Sequence, residues 1–286
     1  MPVPDRTAAH PAGPVRADLV RDGVALAMHT WDDGRADLAG LFYVHGLQSH
    51  AGWLFETGPA LLDRGVRLVA LDRRGSGRSG GPRGHLPDSR TVLDDYAAAL
   101  SGLADAGPLA LLGQSFGASL VAALVATRRV PATTPVVLCA PALGQQRARL
   151  DEPSRERVRR SRGREYSAVA LEDEQYTTLP GYLRMMANDA LMVRSVTTSF
   201  RAAMVEVEDR YLGEGPDPWE RHPVHVALPE RDSIVDLTAS LAVLDTLAPH
   251  AEVRSFPAPS HYLEFTEARE SYWDWLAEVV LAGARC

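Results

Sequence analysis

Short, uninterrupted apolar runs alternate with amphipathic stretches along most of this chain. Leu41-Phe42-Tyr43-Val44 and Val66 to Leu71 read as strands, and they end at His45-Gly46 and at Asp72-Arg73-Arg74-Gly75. Val92, Tyr96, Leu100 and Leu103 fall on one face of a helix predicted over Thr91 to Ala104. Pro108 to Leu112 is a continuous apolar strand, Ala118 to Ala126 a helix of small and apolar residues, and Val136 to Ala140 the next strand. The rhythm stops after Leu143. It resumes with a strand at Val224 to Leu228, a helix at Leu237 to Leu247 and a strand at Glu252 to Phe256. A last amphipathic helix carries Tyr272, Trp273, Leu276, Val279 and Val280. Strands apolar on both faces and separated by helices predict an α/β fold with a mostly parallel sheet covered on both sides. Residues 144–221, Arg-rich at first and then helical, show no strand pattern and form an insert of about 75 residues. Residues 1–16 are rich in Pro, Ala and His and read as a loose tail.

Composition narrows the class. The 286 residues are 45% hydrophobic and 23% charged, which supplies a sizeable core and excludes disorder over most of the length. No run approaches the roughly 18 apolar residues of a membrane span. A net charge of −7 argues against nucleic-acid binding, which needs a basic face. The first residues carry no apolar core of a secretory signal. Cys139 and Cys286 make neither a disulfide framework nor a zinc cluster; Cys139 reads as a small core residue and Cys286 as a frayed end. A cytoplasmic location is the resulting expectation. All 30 basic residues are Arg, so chemistry through a lysine Schiff base or a P-loop lysine is excluded.

Candidate chemistry gathers where strands end. Gly113-Gln114-Ser115-Phe116-Gly117 and Gly77-Arg78-Ser79-Gly80-Gly81 both match G-x-S-x-G. A nucleophile of this type needs a sharp strand-to-helix turn that projects its oxygen off the sheet. Ser115 has an apolar strand before it and a helix after it; Ser79 lies in a Gly-Arg-rich stretch before Pro82 and reads as a loop serine. A serine hydroxyl also needs a base beside it. His261 follows the strand Glu252–Phe256, and Asp232 follows the strand at Val224; both stand where open α/β sheets place ligands. Asp232 would hold the His261 ring in its working tautomer. Glu230 and Asp236 compete as acids, though Asp236 opens the next helix as a cap. The oxyanion needs two amide donors: Phe116, which follows the nucleophile, and Leu47, with Gln48 as alternative. His45 reads as a brace for that loop, and His50 and His85 as solvated loop residues. His222 and His225 lack metal-site spacing. No metal and no cofactor is called for.

This ordered set resembles the α/β-hydrolase superfamily, and more narrowly its monoacylglycerol lipase-like branch, grouped with the S33 serine aminopeptidases. The residues that carry the likeness are His45-Gly46 with Trp53, Asp72-Arg73-Arg74-Gly75-Ser76-Gly77-Arg78-Ser79 with Arg83-Gly84-His85, the turn at Ser115, Asp232-Ser233-Ile234-Val235 and Ser260-His261. The similarity runs over about residues 20–283. It implies an α/β-hydrolase fold with residues 17–143 and 222–286 as the core and 144–221 as a helical cap, or lid, inserted after the sixth strand. It also implies ester hydrolysis through an acyl-enzyme. Asn188-Asp189-Ala190-Leu191 is similar to the stretch that ends the lid in this branch. Gln48 and Ser49 depart from it, since the branch carries Gly and an acidic residue there.

The insert bears on substrate. Its second half, with Tyr182, Met185, Met186, Met192, Val196 and Met204, suits either an adaptable acyl pocket or the packing of cap on core. Its first half crowds Arg147, Arg149, Arg155, Arg157, Arg159, Arg160, Arg162 and Arg164 among a few acids. Either these form a solvated helix with pairs such as Glu156–Arg160, or they dock an anion: a coenzyme A or phosphopantetheine thioester, an acidic carrier protein or an anionic surface. The expected ligand is a small acyl ester, or an acyl thioester in the alternative of a biosynthetic thioesterase, acyltransferase or cyclase.

Overall fold

The computed structural model describes residues 13–103 and 106–285; residues 1–12 of the expected tail, Ala104 and Cys286 lie outside the described residues. Its main sheet contains β1 (Val15–Arg21), β2 (Val24–Trp31), β3 (Ala39–Val44), β4 (Val66–Leu71), β5 (Leu109–Gln114), β6 (Val136–Cys139), β9 (Val224–Pro229) and β10 (Glu252–Phe256). The order is β1-β2-β4-β3-β5-β6-β9-β10. The β1–β2 and β2–β4 pairs are antiparallel, and every other pair is parallel. Val15 and Arg16, placed in the tail by the sequence pattern, belong to β1, an edge strand exposed at most positions and therefore without an apolar run.

Alternation along the strands divides the core. Phe42 and Val44 share one face with α2 (Ser89–Ser101), α3 (Phe116–Ala126) and α8 (Leu237–Leu247). Leu41 and Tyr43 share the other with α1 (Thr57–Asp63) and α9 (Arg269–Gly283). The central strands β3 to β6 bury both faces, which is why their runs are apolar without a break. Asp88 caps α2 by accepting from the Thr91 amide at 2.7 Å, so the helix begins at Ser89, ahead of the apolar stripe. Register then sets up the site: Val44 lies opposite Gly113, Gln114 opposite Cys139 and Cys139 opposite Ala227. The loops after β3, β5, β6 and β9 thus leave the sheet side by side.

Between β6 and β9 run α4 (Gln145–Arg149), α5 (Glu152–Arg160), β7 (Tyr166–Ala168), α6 (Pro180–Ala187), β8 (Ser195–Thr197) and α7 (Thr198–Gly213). β7 and β8 pair antiparallel over three residues each, too short to leave an alternating signature in sequence. Phe200, Ala203, Val207 and Tyr211 of α7 belong to the same apolar cluster as α3, so this helix is part of the core as much as of the insert. Four of the eight arginines of the Arg-rich stretch are held in internal ion pairs. Arg155 meets Glu208 and Asp209, Arg159 meets Asp209 and Glu156, Arg160 meets Glu156, and Arg162 meets Glu206. That pairing neutralises half of the arginines on which docking of an acidic carrier would depend. Among the described residues no helix is long and apolar enough to cross a membrane.

Candidate active site

Ser115 stands between the end of β5 and the start of α3 with φ 55° and ψ −119°, a strained conformation for a residue with a side chain. The turn closes only because its flanks are glycines. A Cβ on Gly117 would lie 2.0 Å from the Val44 carbonyl oxygen, and one on Gly113 2.6 Å from Ala118 Cα. The Ser115 amide donates to the Cys139 carbonyl at 2.9 Å, locking the turn to β6.

Asp232 and His261 meet directly. His261 Nδ1 donates to Asp232 Oδ2 at 2.6 Å, with both side chains fully buried. Asp232 Oδ1 accepts from the amides of Ile234 and Val235 at 2.8 and 2.9 Å. Burial alone would raise the Asp232 carboxyl, but the His261 ring and these two amides outweigh it and hold it below the usual range. Of the two other acids, Glu230 is exposed, and Asp236 caps α8 through the Ala239 amide at 3.0 Å.

The other ring nitrogen does not bond the serine. His261 Nε2 accepts from the Gln114 side-chain amide at 3.2 Å, and among the described residues Ser115 Oγ has no hydrogen-bond partner. Gln114 is buried and its Oε1 is wedged against Gly46, where a Cβ would come within 2.5 Å of it. The nucleophile motif leaves the residue before the serine free to vary, so nothing in the sequence marked Gln114.

Leu47 and Phe116 line the cavity that holds Ser115, and among the described residues neither amide meets an acceptor. The Gln48 amide is likewise free, but its side chain turns away: Nε2 donates to the Val193 carbonyl and Oε1 accepts from Tyr176. Arg73, which sequence reasoning did not single out, sets this loop. Its guanidinium donates to the carbonyls of Gly46 and Leu47 at 3.0 and 2.8 Å and lies over the rings of Phe116 and Phe200. His45 braces the same loop, donating to the Gly46 carbonyl and accepting from the Arg73 amide, both at 2.9 Å. Burial, with Arg73 adding to it, pushes the His45 pKa down to about 3.

Ser79 is structural: it donates to the Asp72 carbonyl at 2.5 Å and accepts from the Ala27 amide at 2.9 Å. His50 is not the solvated residue expected. It is buried, and its Nε2 donates to Asp189 Oδ2 at 2.9 Å, an oxygen that also accepts from Trp53 Nε1 at 2.7 Å. Burial opposes ionisation of Asp189, yet the His50 and Trp53 bonds hold it down to about 2. His85, half-buried, meets Thr197, while His222 bonds the Thr134 carbonyl and His225 lies near Glu252. Among the described residues no group of His, Cys, Asp and Glu side chains is placed to hold a metal ion.

The cavity measures about 370 Å³. Its walls are mostly apolar, with Leu47, Phe116, Val196 and Met204 among them. Tyr182, Met186 and Met192 instead join Trp53, Tyr262 and Phe265 in a separate aromatic cluster, with the Tyr182 and Phe265 rings stacked at 4.2 Å. These residues pack the insert onto the His261 loop.

A parallel sheet carrying a serine at a strained strand-to-helix turn, with a bonded carboxylate and imidazole beyond later strands, is the arrangement of an α/β-hydrolase. The chain belongs to the family described as serine aminopeptidase, S33, whose sequence profile matches residues 37–267. It is 31% identical over 102 residues to a monoacylglycerol lipase of Mycolicibacterium smegmatis, covering 35% of this chain and 36% of that protein. It is 31% identical, also over 102 residues, to an uncharacterized abhydrolase domain-containing protein of Dictyostelium discoideum, covering 36% of this chain and 11% of that protein. The match therefore spans only about a tenth to about a third of these relatives' lengths. Its fold is similar to a soluble variant of monoglyceride lipase from Saccharomyces cerevisiae in complex with a substrate analog, with TM-score 0.80, 14% identity and 99% of both chains covered. It is also similar to a monoacylglycerol lipase of Paleococcus ferrophilus, with TM-score 0.75, 20% identity, and 90% of this chain and 99% of that one covered.

Proposed function

We propose that the protein hydrolyses carboxylic esters of small acyl substrates, as a monoacylglycerol lipase-like esterase, with residues 144–221 acting as its cap. The observation that carries this reading is the 2.6 Å bond from His261 Nδ1 to Asp232, with Ser115 on its strained turn beside an apolar cavity. The likeness to lipases in fold and over a 102-residue stretch agrees with it.

In this mechanism substrate entry draws His261 Nε2 from Gln114 to the serine. Ser115 Oγ attacks the acyl carbon while His261 takes its proton, and Asp232 stabilises the imidazolium. The Leu47 and Phe116 amides hold the oxyanion. Collapse of the intermediate expels the alcohol, protonated by His261, and leaves an acyl-serine. Water then attacks, giving its proton to His261; the carboxylic acid departs and Ser115 recovers its hydrogen. The apolar walls keep other water from the acyl group.

The test is labelling by a fluorophosphonate together with turnover of a short-chain p-nitrophenyl ester and of the matched acyl thioester. The native protein labels at Ser115 and cleaves the ester. Ser115→Ala stays folded and loses turnover by at least about 10⁴-fold. Ser79→Ala keeps turnover per folded molecule. An unlabelled Ser115 overturns the reading, and turnover of the thioester alone replaces it with acyl transfer from thioesters.

A further inference from the structure

We infer that the ester taken by this site carries an anionic group, a carboxylate or a phosphate, held by Arg149 and Arg201; this rests on the ester-hydrolase reading above. Three charged side chains line the Ser115 cavity: Arg149, Arg201 and Glu208. Glu208 is already satisfied. Its carboxylate accepts from Arg155 at 2.7 Å and from the amides of Gln146 and Arg147 at 2.8 and 2.7 Å. Two cations remain, and among the described residues neither has a carboxylate partner. Arg149 Nη2 donates to the Ile234 carbonyl at 2.8 Å and to Gln145 Oε1 at 3.3 Å. Arg201 donates from Nε to Ser167 Oγ at 2.8 Å and from Nη2 to the Ala168 carbonyl at 3.0 Å.

Neutral oxygens position a guanidinium without cancelling its charge, and each arginine keeps unused N–H donors. Arg155, Arg159, Arg160 and Arg162 meet carboxylates; among the described residues Arg147, Arg157 and Arg164 form no ion pair either, but only Arg149 and Arg201 line the cavity. Arg149 is exposed and Arg201 half-buried, so water reaches both, and a guanidinium so placed recognises carboxylate and phosphate through paired charge-assisted bonds. Apolar walls with two unneutralised arginines fit an amphiphilic anion. A neutral acylglycerol would fill the walls and make no use of either guanidinium.

The experiment compares matched esters on the intact protein. One pair is 4-nitrophenyl hexanoate and the mono-4-nitrophenyl ester of adipic acid, with charge on the acyl side. The other is a 1-acylglycerol and the same 1-acylglycerol carrying a 3-phosphate, with charge on the alcohol side. In at least one pair the anion exceeds its neutral partner in kcat/KM by about tenfold or more, mainly through KM, and added salt erodes the advantage. The preferred pair identifies the source of the charge. Arg201→Gln and Arg149→Gln each pull that ratio toward one, and Arg201→Lys retains more of it. Arg160→Gln, an ion-paired residue outside the cavity, leaves the ratio unchanged. Thermal melts establish that each variant is folded. Neutral esters turned over as well as or better than anions in both pairs, or a ratio unmoved by both glutamine variants, overturns the inference while the esterase reading stands. No turnover of any ester together with an unlabelled Ser115 sinks both.

Discussion

At the scale of single residues, the resting site is decided by one side chain that the nucleophile motif leaves unspecified. Gln114 donates to His261 Nε2, the lone pair that takes the Ser115 proton in the proposed mechanism, so in that mechanism the base is occupied before substrate arrives. Asp232 already fixes the ring through Nδ1, which makes the Gln114 bond unnecessary for the tautomer. Replacing the donor with an apolar side chain of similar size removes a competitor worth about 1 kcal/mol, the usual net value of one hydrogen bond. Gln114→Leu is therefore expected to label with a fluorophosphonate about fivefold faster than the native protein under pseudo-first-order conditions. Labelling at an unchanged or slower rate would mean that the Gln114 contact does not restrain the base. The placement of Ser115, Asp232 and His261 just past strand ends was legible because each follows a run that reads as a strand. Gln114 and Arg73 were not, because what they touch depends on chain segments brought together only by the fold; Gln114 and His261 are 147 positions apart.

At the scale of elements, the insert is fastened to the loops that build the site. Gln48 and Val193 exchange hydrogen bonds, the amide of Val193 donating to the Gln48 carbonyl at 3.0 Å. The His261 amide donates to the Gln175 carbonyl at 3.1 Å, and Asp189 collects His50 and Trp53. The departure at Gln48 thus makes structural sense, since a longer amide side chain reaches the insert where a glycine could not. Asp189→Ala leaves the buried Trp53 and His50 donors without their acceptor, at a cost of about 2 kcal/mol. The expected result is a lower urea midpoint with m unchanged, together with faster hydrogen exchange at the Val193 amide; native protection there would show that Asp189 is not a staple. The central strands β3 to β6 and the helices α2 and α3 between them could be read from apolar patterns, because burial on both faces of a strand leaves a continuous signal; α1, seven residues long, was not. The edge strand β1 and the pair β7–β8 could not: one is exposed and the others are three residues long. The arginine-rich helix left two readings open, since composition does not reveal that Glu208 and Asp209, about fifty positions later, would meet Arg155.

At the scale of the whole molecule, closing the α9 face of the sheet buries a carboxyl that the proposed chemistry does not use. Glu264 is about 1% exposed and follows His261 by three residues. Its Oε1 accepts from Tyr43 at 2.6 Å, and among the described residues its Oε2 has no hydrogen-bond partner. Burial raises its pKa to about 7 against an ordinary 4.5, with the Tyr43 bond only partly offsetting it. The folded protein therefore keeps this proton over a range in which the unfolded chain has lost it. Wherever the folded state binds more protons, stability falls as pH rises. The loss from Glu264 starts near pH 4.5 and is complete just above pH 7, and at about 1.4 kcal/mol per unit it amounts to about 3 kcal/mol. Buried His45 acts in the opposite sense: its pKa of about 3 favours the folded state increasingly as pH rises toward 6.5. The two slopes partly cancel in the native protein, so its own pH profile conceals both. The difference between Glu264→Gln and native protein isolates one of them, because every other group titrates alike in the pair. That difference, measured by urea unfolding from pH 4 to 8, should be level below pH 4.5, shift toward the variant by about 3 kcal/mol up to pH 7, and level off above it. A difference independent of pH would mean that Glu264 ionises normally despite its burial.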